Sequence, residues 1–168
     1  MAAAAPQAWA AAPAQDSALS CVAATPTGRP LTFTPEIGLT PRRLSARGNL
    51  LLTACASPDG SAAYLRSGWV TLKGTGRASC TSAQHVRGTA RITWFGADGR
   101  PVGTSEVRTR AERLATQNPA DSLLSGTVTS GPLARERVRG SITPAMAILA
   151  CATRGMKDLS AAGRVTFG

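Results

Sequence analysis

The dipeptide Asp98-Gly99 stands between two runs of alternating polarity, Arg-Ile-Thr-Trp-Phe over residues 91–95 and Val-Gly-Thr-Ser-Glu-Val over residues 102–107. Asp-Gly supplies the positive φ angles that a tight hairpin turn requires, so the spacing predicts two antiparallel strands. A period of two places Ile92 and Trp94 on one face, with Thr93 and Phe95 on the other. Trp94 brings the largest apolar area in the segment, and Cys80 upstream is positioned to tie the hairpin to a second layer.

The rest of the chain is cut in the same way. Seventeen Gly and 11 Pro are spread over 168 residues, a length that suits one domain with a real core. Helical apolar periodicity is not sustained beyond about two turns. Short strands between Gly/Pro turns predict an all-β fold, a single antiparallel β-sandwich (Ig-like or related) of nine or ten strands over residues 17–168. Strands are expected at 17–23, 31–34 (stopped by Pro35), 49–55, 68–73, 124–130 and 163–167. A buried strand is expected around Ile142, Met146, Ile148 and Cys151. Residues 35–48 read as an irregular surface crossover, Gly74-Thr75-Gly76 as a turn, and residues 110–115 as a helical turn or polar loop. The charged run 136–139 suits a sheet edge, because charge discourages edge-to-edge pairing.

Four cysteines, Cys21, Cys55, Cys80 and Cys151, form no C-x-x-C pair and are accompanied by a single histidine. That spacing argues against a zinc site and for two disulfides in an oxidising compartment. Three connectivities are open, and sequence does not choose among them. The working expectation is Cys55–Cys80 across neighbouring strands and Cys21–Cys151 between an early and a late strand. Residues 1–16 are Ala/Pro/Gln-rich, with Ala8-Trp9-Ala10 in the small-x-small form of a leader cleavage site. They read as a leader remnant or a disordered N-terminal arm on a secreted protein. No apolar run approaches the length of a membrane helix.

Catalytic constellations are missing. No G-x-S-x-G elbow, H-E-x-x-H or P-loop occurs, and His85 sits in a Gln/Arg-flanked segment that reads as a surface turn. Ser79, Ser82 and Asp98 are close to it in sequence, but nothing else singles them out as a triad. The expectation is a non-enzymatic chain with no cofactor and no metal.

The formal net charge is +10, and all but Lys73 and Lys157 of the 19 basic residues are arginine. Such a composition also arises from high-GC coding bias, so it permits attraction to anionic polymers without demonstrating it. Two clusters alternate in the way that puts several arginines on one strand face, Arg108 with Arg110, and Arg135, Arg137 and Arg139. With Trp9 of the arm, these are the candidate partner-binding residues. Aromatics make up only 4% of the chain, which argues against the stacking platforms of nucleic-acid sites.

Several short motifs resemble a family of small exported actinobacterial proteins with a four-cysteine β-sandwich. They are Leu31-Thr-Phe-Thr-Pro35, Cys55-Ala-Ser-Pro-Asp-Gly60, Gly76-Arg-Ala-Ser-Cys80, Ile92-Thr-Trp94, Gly103-Thr-Ser105, Gly126-Thr-Val-Thr-Ser-Gly131, Cys151-Ala-Thr-Arg-Gly155 and Gly163-Arg-Val-Thr-Phe167. Together they span roughly residues 17–168. Some members resemble the adaptor subunit of umbrella toxin particles, secreted antibacterial assemblies. That resemblance implies an adaptor between a large toxin subunit and a lectin-like targeting subunit, docking the lectin-like partner through residues 1–20 and the large subunit through an exposed sheet edge. The rival expectations are a free-standing basic protein that binds anionic cell-wall polymers, and a cryptic enzyme or a protease/enzyme inhibitor.

Overall fold

The computed structural model describes residues 17–115, 124–144, 151 and 153–168. It contains ten strands: β1 (Leu19–Ala24), β2 (Leu31–Ile37), β3 (Arg42–Ala56), β4 (Ser67–Ser79), β5 (Ser82–Phe95), β6 (Pro101–Ala115), β7 (Gly126–Ser130), β8 (Arg137–Pro144), β9 (Met156–Leu159) and β10 (Ala161–Phe167). All neighbours pair antiparallel in the order β1-β10-β8-β7-β6-β5-β4-β3-β2-β9.

The expected sandwich is overturned by one further ladder. β1 pairs β10 along one side, Leu19 opposite Phe167 through Ala24 opposite Ala162, and pairs β3 along the other, Ser20 opposite Ala56 and Ala24 opposite Leu51. Eight strands, β1, β3, β4, β5, β6, β7, β8 and β10, therefore close into a barrel. Closure removes the open edges that each sheet of a sandwich would keep. β2 and β9 extend the wall beyond the barrel, where β2 takes over from β1 as the neighbour of β3 at residues 45–47.

Strand lengths differ from expectation for one reason. The segment 42–48 is no crossover but the first half of β3, with Leu44 and Ala46 buried and Arg43, Ser45 and Arg47 exposed. Gly74 and Gly76 are not a turn, because β4 runs on to Ser79 and turns at Cys80-Thr81. Residues 110–115 continue β6 rather than forming a helical turn or loop. β2 does not stop at Pro35 but reaches Ile37 through a cis Thr34–Pro35 bond. In each case a small, charged or cyclic residue interrupts the apolar pattern without ending the strand, although β2 leaves β3 after Thr34 and meets β9 again only at Ile37, and the β4–β5 ladder carries a bulge at Gly76. Gly48 faces inward, where a Cβ would lie 2.6 Å from Leu31 Cδ2, and a Cβ on Gly88 would lie 2.5 Å from the Lys73 carbonyl oxygen. These positions need glycine because the walls approach too closely for a side chain. β8 is not an edge either, since β7 and β10 flank it. Of the buried strand expected around Ile142, Met146, Ile148 and Cys151, Ile142 belongs to β8 and Cys151 to a short helical stretch before β9. Met146 and Ile148 lie outside the described residues, as does the arm 1–16 with Trp9.

Both disulfide expectations are corrected. Cys21 bonds Cys55, joining β1 to β3 across the closing ladder, and Cys80 bonds Cys151, joining the β4–β5 turn to the stretch before β9. Cys55 and Cys80 flank the β4 strand in sequence but sit at opposite ends of it, which excludes the expected pair.

The Asp98-Gly99 hairpin is as expected, with Phe95 opposite Pro101. Trp94 is fully buried and lies between two glycines, opposite Gly68 on β4 and Gly103 on β6. A Cβ on Gly68 would come within 3.2 Å of the indole, so the missing side chain makes the indole's room. The ring meets Phe167 edge-on at 5.5 Å, and its Nε1–H donates to Ser105 Oγ at 2.8 Å. Ser105 Oγ in turn donates to the Pro132 carbonyl at 2.6 Å, so both buried polar groups are satisfied. Leu50, Leu52, Val70, Leu72, Ile92 and Val165 are buried in the same core.

A second clamp closes the N-terminal end. Ser57 Oγ donates to the Ala18 carbonyl at 2.6 Å, and Asp59 Oδ1 accepts from Ser61 Oγ at 2.6 Å and Ser61 N–H at 2.9 Å. The two bonds from Ser61 hold the Asp59 carboxyl below its usual range.

Three substitutions check these contacts. Trp94→Ala should lower unfolding free energy by about 3–5 kcal/mol in urea titration. Ser105→Ala, which strands the indole N–H and the Pro132 carbonyl, should lower it by about 1–3 kcal/mol; a loss below about 1 kcal/mol for Trp94→Ala contradicts its burial. For Asp59 the folded-state carboxyl is the stronger acid, so its stabilisation is present above the unfolded pKa and fades as pH falls through the folded one. The melting-temperature gap between the native chain and Asp59→Asn should therefore be widest near neutrality and close on acidification; a gap constant from pH 7 down to pH ~2 refutes the assignment.

Candidate polyanion-binding face

Period-two alternation along four long strands sends one set of side chains into the barrel and the other to its outer surface. Val70, Leu72, Ala90 and Val107 point in and are buried, while Thr71, Lys73, Thr89 and Arg108 point out. Register then decides which outer side chains become neighbours. Thr32, Arg47, Lys73, Thr89, Arg108, Thr127 and Arg137 lie directly opposite one another in a single row across β2, β3, β4, β5, β6, β7 and β8. The next row holds Thr34, Ser45, Thr75, Arg87 and Arg110, and the one beyond places Arg43 opposite Arg77.

Three pairs of like charge thus face each other across one strand spacing of about 4.8 Å, Arg47 with Lys73, Arg87 with Arg110, and Arg43 with Arg77. Directly opposed like charges destabilise a ladder. Across β3 to β6 no carboxylate stands in these three rows; the first row meets one only at its far end, where Asp158 of β9 lies opposite Thr32. The row on the other side contains Glu106, and that carboxylate takes Arg91 Nε at 2.6 Å. Among the described residues no ion pair neutralises Arg47, Lys73 or Arg108. An open concavity of about 1060 Å³ lies over the rows, lined by Arg47, Lys73, Arg87 and Arg108 with the hydroxyls of Thr32, Ser45, Thr71, Thr75 and Thr89.

The expected site residues fall in several places. Arg108 and Arg137 flank Thr127 in the same row, so the two clusters inferred from sequence meet there. Arg110 occupies the neighbouring row. Arg139 is exposed on β8 opposite Thr166 of β10, and Arg135 is exposed in the β7–β8 turn with φ of 75°. Neither lines the concavity. Arg47, Lys73 and Arg87 escaped the sequence reading, because Arg47 lay in an assumed crossover and only the register makes Lys73 its neighbour. The outward position of Lys73 beside buried Val70 and Leu72 was the one local signal.

His85 is the extra residue of a β-bulge, with φ of 51°, where residues 85 and 86 oppose Gly76 alone. It is exposed on β5 rather than part of a turn. Ser79 and Ser82 share a hydrogen bond at 2.9 Å across the β4–β5 turn. Asp98 sits in the hairpin at the other end of β5, so no triad with His85 is assembled. Among the described residues no three His, Cys, Asp or Glu side chains gather as metal ligands, and no helix is long and apolar enough to cross a membrane.

Compared with protein-family models, curated proteins and solved structures, the chain matches none of them.

If opposed like charge costs stability, relieving it should restore some. Lys73→Glu, which sets a carboxylate against Arg47, should raise the unfolding free energy by about 0.5–1 kcal/mol at low ionic strength. The gain should shrink as salt rises. A destabilised Lys73→Glu at low salt shows that the two cations do not repel.

Proposed function

We propose that this chain is a non-enzymatic, exported binding module that holds a polyanionic partner across the outer face of β2 to β6. One observation carries the reading, the direct opposition of Arg47 and Lys73 with no ion pair on either among the described residues, the carboxylate of their row being Asp158 at its far end beyond Thr32. A bound anion turns that repulsion into attraction for every cation in the row. The concavity over the row brings hydroxyl donors as well as charge, as phosphate, sulfate and carboxylate groups require. The two disulfides fit an oxidising environment, where anionic cell-wall polymers are available as partners.

The adaptor role implied by the short motifs is a second reading with one supporting observation. Among the described residues β9 stands at the end of the strand order with β2 as its neighbour, an edge where a partner strand can add. Recovery of larger subunits with the chain from culture medium favours it.

The test of the polyanion reading is retention on an immobilised anionic polymer (heparin or teichoic acid) as a function of salt. The native chain should be retained and elute later than Arg47→Gln/Lys73→Gln, whereas Arg135→Gln, away from the concavity, should elute close to the native chain. Elution of all three together, or retention indifferent to salt, overturns the reading.

A further inference from the structure

The basic rows do not end in more charge. Moving along β3 and β4 toward the seam with β1, the row after Arg47 and Lys73 holds Asn49 and Thr71, and the next holds Leu51 and Trp69. Asn49 Nδ2 donates to Thr71 Oγ1 at 3.0 Å, which fixes the intermediate polar row. Trp69 is half-buried on the outer surface, and Leu51 beside it is 37% exposed. The Arg29 guanidinium stands 6.0 Å from the Trp69 ring centroid, and the next residue, Pro30, lines the concavity. An apolar step with an indole and a cation at one point thus borders a bed of cations and hydroxyls. From Trp69 to Lys73 is four residues of strand, about 13 Å, which a short oligosaccharide spans.

Resting on the polyanion reading above, we infer that the ligand is an anionic glycan, with a sugar ring against Trp69 and its acidic groups on Arg47 and Lys73. Sugar rings carry both features the face offers, a C–H surface for the indole and hydroxyls for the threonines, and an acidic substituent supplies the charge. Polyphosphate has the charge and no apolar surface. A single-stranded nucleic acid stacks successive bases on successive aromatics, but beyond Trp69 the basic rows present no second ring.

The experiment measures affinities of the full chain by calorimetry at one salt concentration for three probes of matched charge: a heparin octasaccharide, linear inorganic polyphosphate and a single-stranded oligodeoxynucleotide. The octasaccharide should bind about fivefold more tightly than polyphosphate, the size of one aromatic contact. Trp69→Ala should abolish that advantage while leaving polyphosphate affinity unchanged, and Trp69→Phe should keep most of it. Leu51→Gln, beside the indole and partly exposed, carries the same test if Trp69→Ala does not fold. Equal affinities for octasaccharide and polyphosphate, an advantage that survives Trp69→Ala, or tighter Trp69-dependent binding of the oligodeoxynucleotide each overturn the glycan inference and leave the basic face standing. Binding of none of the three probes overturns the basic face itself.

Discussion

Everything in this molecule depends on β1 being hydrogen-bonded along both edges. Six residues register with β10 on one side, and the other side holds the second half of β3. That double ladder turns a long meander into a cylinder, so the inner face of every barrel strand becomes core. The Cys21–Cys55 bond lies on the same seam. A disulfide between adjacent strands reinforces closure chiefly by limiting what the unfolded chain can do, while the ladder itself aligns the walls.

Closure explains the glycines. A barrel wall built from strands of 13–15 residues cannot stay flat, and its inward positions come too close to neighbouring backbone for a Cβ at Gly48 and Gly88. Higher up, Gly68 and Gly103 leave space that Trp94 and Pro132 fill, since a Cβ on Gly103 would lie 2.9 Å from the Pro132 ring. The indole then has one polar atom to satisfy, and the Ser105 hydroxyl relays its hydrogen bond to the Pro132 carbonyl. Packing, glycine placement and polar satisfaction converge on a single side chain.

The same register that builds the core assembles the outer face. Once Leu72 and Ala46 point inward, Lys73 and Arg47 must point outward, and pairing β3 with β4 sets them side by side. Threonine dominates the rest of the row, a residue suited to strands and able to donate. Charge repulsion on an otherwise consistent fold is the kind of local conflict that binding sites retain, and it is the ground of the proposed polyanion reading. The indole at the border of the rows adds a surface that charge alone would not require.

Residues 91–107 were legible because their alternation is unbroken and their turn dipeptide is unambiguous. Residues 42–48 were not, because Ala46 and Gly48 occupy inward positions usually marked by larger side chains. The Cys21–Cys55 pairing was hidden for a different reason, since it joins strands whose adjacency follows from closure. By itself the sequence determined that the chain is all-β, that the 91–107 hairpin forms with Ile92 and Trp94 on its apolar face, and that its cysteines suit two bridges. These follow from short-range periodicity and turn chemistry, which each segment carries alone. Only the tertiary structure decided barrel over sandwich, the cysteine partners and the row that brings Arg47, Lys73, Arg108 and Arg137 together. Those depend on hydrogen-bond register between segments far apart in the chain, and local side-chain patterns do not encode it.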